Sequence, residues 1–240
     1  MAQNSMRQRR NSISFSAICI AALLGSWPLE ALAAPCDPIN IAITTTPALP
    51  LSADSLRAHL AQLKSLPAHA SLAVLGDSLV VGMPSDLLSS LPATYGAVRL
   101  GVSGDRTQNV LWRLQDEAFR NRRYDTVLIL LGTNNIGNDA CAVAEGYTRI
   151  LNYIKGLWQP KAIYAVSVLP RFDDFGKKYG GNIVALNRLI SGLNNVKFID
   201  VGERLSCGEA DCSDYQADRI HLSRKGYEKL FDVIRKTMTE

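Results

Sequence analysis

The stretch Asp125-Thr-Val-Leu-Ile-Leu-Leu131 constrains the fold more than any other part of the chain. It is apolar without alternation, a pattern that suits a β-strand only when both faces of its sheet are covered. Four other apolar runs read as its companions, at 72–75, 97–102, 162–169 and 196–201. Between them come segments with helical spacing. Residues 53–66 carry Leu56, Leu60 and Leu63 in register, with Ser52 and Asp54 as caps. Further helices are predicted around 85–91 and over 106–119, 143–158, 182–193 and 223–238. Strands alternating with helices predict an α/β domain: a parallel sheet, helices on both faces, right-handed crossovers.

Composition sets the class. With 47% hydrophobic and 20% charged residues, the 240-residue chain is an ordinary globular protein rather than a disordered one. Its formal charge of +4 is partly carried by residues 1–33, where Arg7, Arg9, Arg10 and Glu30 contribute a net +2. The remainder argues for neither a nucleic-acid partner nor a membrane surface.

Those first 33 residues read as a secretory signal peptide. Three arginines precede an apolar stretch at 13–25, and Ala31-Leu-Ala33 is a small-x-small cleavage site. A retained anchor is the alternative; the apolar stretch is short for a span, and Gly25 and Pro28 follow it. The arginine pair lacks most of a twin-arginine consensus, and Cys36 follows Pro35, which disfavours lipid attachment there. Residues 34–51, rich in Pro, Thr and Ala without a period, are expected as an extended arm, and 52–240 as a single domain. Export to the periplasm or beyond makes disulfides the expected state of Cys36, Cys141, Cys207 and Cys212. Four cysteines allow three pairings. Cys207 and Cys212 flank the short turn-forming Gly208-Glu-Ala-Asp211, which would leave Cys36 with Cys141 to tie the arm to the body. A metal site is disfavoured, because no second close pair or nearby histidine accompanies them.

The chemistry centres on Ala73-Val-Leu-Gly-Asp-Ser78, a buried strand that stops at Gly76 and delivers Asp77 and Ser78 into a turn. A serine hydroxyl becomes a nucleophile when a base takes its proton, usually an imidazole. His59 and His69 have no carboxylate partner nearby in sequence and read as packing or surface residues. His221 has Asp218 three positions before it, which suits a carboxylate that accepts the Nδ1 proton and leaves Nε2 for the serine. Read alone, Asp218 has a helix cap as its alternative role. Gly104 in Val-Ser-Gly-Asp105 can present an unobstructed backbone N–H, Asn134 in Gly-Thr-Asn-Asn135 a side-chain amide, and Ser78 its own N–H, as donors to an oxyanion. All these segments fall at strand C-terminal ends, the edge along which open α/β sheets bind ligands.

Gly76-Asp-Ser-Leu79, Gly104, Asn134 and Asp218-x-x-His221 together resemble the four blocks of the SGNH (GDSL) hydrolases, in order. The resemblance runs from about Leu72 to Val233. Val102-Ser-Gly-Asp-Arg-Thr107, Val110-Leu-Trp-Arg-Leu114, Leu169-Pro-Arg171 and His221-Leu-x-x-x-Gly-Tyr227 look most like the platelet-activating-factor acetylhydrolase catalytic-subunit branch. The Gly-x-Ser-x-Gly elbow of the ordinary α/β-hydrolases is absent around Ser78. The resemblance implies a three-layer flavodoxin-like fold with five parallel strands in the order 2-1-3-4-5. It implies Ser78 as nucleophile, His221 as base and then acid, Asp218 as its orienter, and Ser78, Gly104 and Asn134 as the oxyanion hole. It implies no metal or organic cofactor. Asn135 stands where the thioesterase I branch usually has Asp.

The expected activity is that of an exported serine esterase on short acyl esters of carbohydrate or lipid. The alternatives are a lysophospholipase or thioesterase for longer chains, or a non-catalytic binding protein of the same fold. Other residues carry smaller expectations. Arg106, Arg113 and Arg120 read as a solvated helix face, Asp105 as a helix cap, Asp173 to Gly181 as a plain surface loop or a mobile loop beside the site, and Arg171 as either pocket wall or bystander.

Overall fold

The computed structural model describes residues 36–93, 96–208 and 211–239. The expected signal segment, 1–33, lies outside these residues. The elements run α1 (Pro38–Thr45), α2 (Ala53–Lys64), β1 (His69–Gly76), α3 (Ser78–Val81), α4 (Ser85–Ser89), β2 (Ala97–Gly101) and α5 (Thr107–Arg113). There follow β3 (Arg123–Leu130), α6 (Ala140–Trp158), β4 (Ala162–Val166), α7 (Asp174–Ser191), β5 (Lys197–Ile199) and α8 (Arg224–Thr239). All five strands pair in parallel, in the order β2-β1-β3-β4-β5. No helix among the described residues is long and apolar enough to cross a membrane.

The non-alternating strands are explained by two cores. Ala73, Leu75, Val127 and Ile129 face α5, α6 and α7, while Leu72, Val74, Leu128 and Leu130 face α3, α4 and α8. Successive residues of a strand point to opposite faces, so a sheet covered on both sides needs apolar residues at every position. At about 25 cal/mol per Å² of apolar surface removed from water, this burial is the main term holding the three layers together.

Four segments differ from the sequence reading. The helix expected over 106–119 ends at Arg113, and after a break Glu117–Phe119 forms a separate 3-10 turn started by Asp116. Residues 38–45, expected within an extended arm, form α1: Asp37 accepts from the Ile39 N–H and Pro38 occupies the first turn, a good helix start. Thr44 Oγ1 donates to Ala142 O at 2.6 Å, and Cys36 is bonded to Cys141. A helix only two turns long is marginal in water, so its docking on α6 sustains it. Residues 174–181, expected as loop, are the first turns of α7. Asp173 Oδ1 accepts from the Gly176 N–H at 3.0 Å, and the Phe175 and Tyr179 rings, one turn apart, pack tilted at 57° with centroids 4.7 Å apart. Gly176 is required there, since a Cβ would lie 2.1 Å from Arg171 O. His69 begins β1 rather than lying in a loop, and its Nε2 is 3.0 Å from Asp125 Oδ2 across the β1–β3 pair.

The second disulfide joins Cys207 to Cys212, whose Cα atoms are 4.0 Å apart. All four cysteines beyond residue 33 are therefore paired as the turn at 208–211 suggested.

Candidate active site

The C-terminal end of β1 is shaped by two glycines. A Cβ on Gly76 would lie 2.0 Å from Leu130 O, and one on Gly101 would lie 2.8 Å from Val80 Cβ. Their absence of side chains lets α3 cross over the strand ends. Asp77, fully buried, caps that helix through Leu79 N–H→Oδ1 at 2.9 Å and so sets the orientation of Ser78 at its first position. Tyr227 of α8 donates to Leu79 O at 2.8 Å and pins the turn from the other side. Burial pushes the Asp77 carboxyl up to about 7, the hydrogen bond from Leu79 opposing.

Ser78 is half-buried, and His221 Nε2 lies 2.9 Å from its Oγ. His221 Nδ1 lies 2.6 Å from Asp218 Oδ2, while Asp218 Oδ1 accepts from the N–H groups of Ile220 at 2.9 Å and His221 at 3.0 Å. Burial alone would raise the Asp218 carboxyl, but the bonds from the His221 ring and these two N–H groups hold it down at about 2. Asp218 does not cap the last helix, which begins six residues later at Arg224. It folds a turn of its own, in which Arg219 adopts φ +58° and its carbonyl accepts from the Phe172 N–H at 2.9 Å. This left-handed residue turns the chain so that carboxylate and imidazole of the same short segment meet.

Gly104 has φ +80°, a conformation that glycine adopts freely, within the turn closed by Asp105 N–H→Val102 O at 3.2 Å. Asn134 lies within the turn closed by Asn135 N–H→Gly132 O at 2.8 Å, and glycine is needed at 132 because φ is +120° and a Cβ would lie 2.8 Å from Val168 Cγ2. Asn134 Nδ2 donates one hydrogen to Asp105 O at 2.9 Å. A primary amide has a second. The 102–105 and 132–135 turns are thus joined directly to each other.

The sequence reading missed how these turns are braced. Arg113 is not part of a solvated face: it is buried, and its Nε donates to Asp105 Oδ2 at 2.7 Å. Asp105 accordingly does not cap α5; the Arg106 N–H at that helix start donates instead to Asn109 Oδ1 at 3.0 Å. Burial pushes the Asp105 carboxyl up to about 6, the Arg113 charge opposing. Arg171 is nearly buried, grips Asp173 through Nε and Nη2 at 2.7 and 2.6 Å, and donates from Nη1 to Thr133 O at 3.1 Å. Its contact with the site is through the backbone beside Asn134. Asn135 Oδ1 accepts from the Thr107 N–H at 2.9 Å, tying the same turn to the start of α5. An Asp–Arg pair separated by one helix, as Asp105 and Arg113 are, was the available signal for the first brace.

Hydroxyl, imidazole and carboxylate in line at hydrogen-bond distance, with amide donors on two neighbouring turns, can ionise a hydroxyl and hold a developing oxyanion. The model of the GDSL-like lipase/acylhydrolase family matches residues 74–229, which span all of these segments. Subunit alpha2 of the platelet-activating factor acetylhydrolase IB of Rattus norvegicus is 31% identical over 162 residues, covering 65% of this chain and 70% of that protein. Among solved structures, a GDSL-like lipase of Bacteroides thetaiotaomicron superposes with a TM-score of 0.59 at 16% identity, over 76% of this chain and 96% of that one. A catalytic mutant of an acetylxylan esterase of Geobacillus stearothermophilus does so with a TM-score of 0.56 at 17% identity, over 70% and 93%. At such identities the superpositions speak for the fold, and the sequence matches speak for kinship. The chain belongs to the GDSL-like lipase/acylhydrolase family of serine hydrolases.

Proposed function

We propose that this protein is an exported esterase that cleaves short, acetyl-type esters of carbohydrate or lipid, with Ser78, His221 and Asp218 as its catalytic residues. The observation that carries the reading is the unbroken line from Asp218 through His221 to Ser78 Oγ, at 2.6 and 2.9 Å. In this mechanism His221 Nε2 takes the Ser78 proton as Oγ attacks the ester carbonyl carbon. The carbonyl electron pair moves onto oxygen, where the N–H groups of Ser78 and Gly104 and the free amide hydrogen of Asn134 receive it. Collapse of the tetrahedral adduct breaks the bond to the alcohol oxygen, which leaves with the proton held on Nε2. Water then attacks the acyl-serine ester by the same relay, releasing the acid and restoring the serine. Asp218 stays ionised and holds the imidazole with Nδ1–H toward itself.

Export is supported by the two disulfides, which persist in oxidising compartments, together with the signal-like first 33 residues. The short-acyl preference is supported by two relatives whose names specify acetyl substrates, an acetylhydrolase and an acetylxylan esterase.

The test is hydrolysis of p-nitrophenyl esters from two to sixteen carbons, with Ser78→Ala in parallel. Activity confined to short chains and lost in the variant supports the proposal. A maximum at long chains moves the substrate to lysophospholipids or thioesters. A folded protein no faster than Ser78→Ala on every ester, and unlabelled by a fluorophosphonate, would be a binding protein.

A further inference from the structure

We infer that Arg113 is a positioning residue for the oxyanion site, acting through Asp105 to fix the Gly104 N–H and the Asn134 amide relative to each other. Asp105 is the junction of the two donors. It ends the turn that presents Gly104, and its carbonyl oxygen takes one hydrogen of the Asn134 amide at 2.9 Å, which orients the other. The Asp105 side chain is held in turn by Arg113 Nε at 2.7 Å, while Arg113 Nη2 donates to Leu100 O at 2.9 Å. One rigid guanidinium therefore spans from the last residues of β2 to the turn that follows it. Lysine, with a single mobile charge, cannot make both bonds in fixed geometry.

Stability alone does not account for this pair. Both side chains are 1% exposed, and a buried ion pair can often be replaced by well-packed apolar residues of similar volume without loss of stability. Arg113 Nη1 and Asp105 Oδ1 are also buried without a protein partner, so the network is only partly satisfied. An apolar pair could fill the same space, but it would leave the Asp105 backbone free to shift, and with it the hydrogen bond that aims Asn134. Displacements of about 1 Å in a catalytic constellation cost on the order of 10²-fold in rate.

The inference rests on the proposed role of Gly104 and Asn134, so Asn134→Ala serves as the reference. The experiment measures kcat and KM for p-nitrophenyl acetate, the inhibition constant of phenylboronic acid (which forms a tetrahedral anionic adduct with serine) and thermal melting. It compares Arg113→Lys with the charge-free double variant Asp105→Leu/Arg113→Met. The expected result is cooperative melting with kcat lowered about 10–100-fold, KM within about twofold of the parent, and boronate affinity weakened by the same factor as kcat. Parental kcat and boronate affinity in the double variant, with Asn134→Ala impaired, would overturn the inference and leave the oxyanion reading intact. A raised KM at unchanged kcat would also overturn it. If Asn134→Ala itself keeps parental kcat, the oxyanion reading falls and takes this inference with it. If neither variant at Arg113 folds, the pair is a stability element and the inference is likewise refuted.

Discussion

His59 is fully buried between Trp112 and Phe119, with ring centroids 5.6 and 6.3 Å away, and neither of its nitrogens has a hydrogen-bond partner. Burial, with the Arg113 charge adding to it, lowers its pKa to about 4. The unfolded chain takes up this proton near 6.5, so between about 6.5 and 4 the unfolded state binds more protons and stability falls as pH falls. Asp77 works in the opposite sense. Its folded carboxyl keeps its proton up to about 7 while the unfolded one ionises near 3.8, so between those limits stability falls as pH rises. His59→Leu is expected to flatten the acid-side loss, and Asp77→Asn, which keeps the acceptor for the Leu79 N–H, to flatten the opposing slope. Urea denaturation of parent and variants at pH 5 and 7 reads both signs; parallel curves would refute the burial argument. Asp218→Asn belongs to this scale as well. It is expected to lower kcat on the order of 10³–10⁴-fold with little change in melting, because an amide cannot hold the imidazole in the same tautomer. Since Asp218 is ionised down to about 2, the acid limb of the parental rate profile is not its titration.

Among the elements, β1 and α3 act as one unit, and Gly76 and Gly104 tolerate a side chain differently. Gly76→Ala places a methyl 2.0 Å from Leu130 O and 2.5 Å from Val80 Cγ2, so either the β1–β3 register or the seat of α3 must give way. This substitution is expected to abolish recovery of folded protein. Gly104→Ala meets nothing within 4 Å and carries only the strain of φ +80°, about 1–2 kcal/mol. It is expected to fold with a modestly lower Tm and to lose kcat as the turn relaxes. Circular dichroism melting and acetate-ester kinetics on the two variants check the contrast, and a well-folded Gly76→Ala enzyme would refute it. The same attention to close contacts explains α7. Its glycines read as loop signals in the sequence, yet Gly176 is there because the helix start passes against the backbone of Arg171.

For the whole molecule, the two disulfides are unequal. Cys36–Cys141 closes 105 residues of chain, and Cys207–Cys212 closes 5. On the chain-entropy account a loop of that larger size contributes about 4.7 kcal/mol, and one of the smaller size about 2 kcal/mol. Cys141→Ser is therefore expected to lower Tm about twice as much as Cys212→Ser in calorimetry, and to expose α1 to protease first. Equal shifts would show that the bridge does not act through the unfolded chain. What the sequence determined by itself was everything encoded by local pattern. The non-alternating strands declared a covered parallel sheet, the helical periods declared its outer layers, and four short motifs placed Ser78, Gly104, Asn134 and Asp218–His221 at one edge. Tertiary structure alone decided which side chains brace that edge. Arg113 looked solvated because its seven-residue spacing from Arg106 and Arg120 describes a helix face, not what the face packs against. Residues 38–45 looked extended because so short a helix depends on α6, the Thr44 bond and a distant cysteine. Periodicity reports which residues share a face; only the packed chain determines what that face meets, and hence which charges are buried and which turns are held.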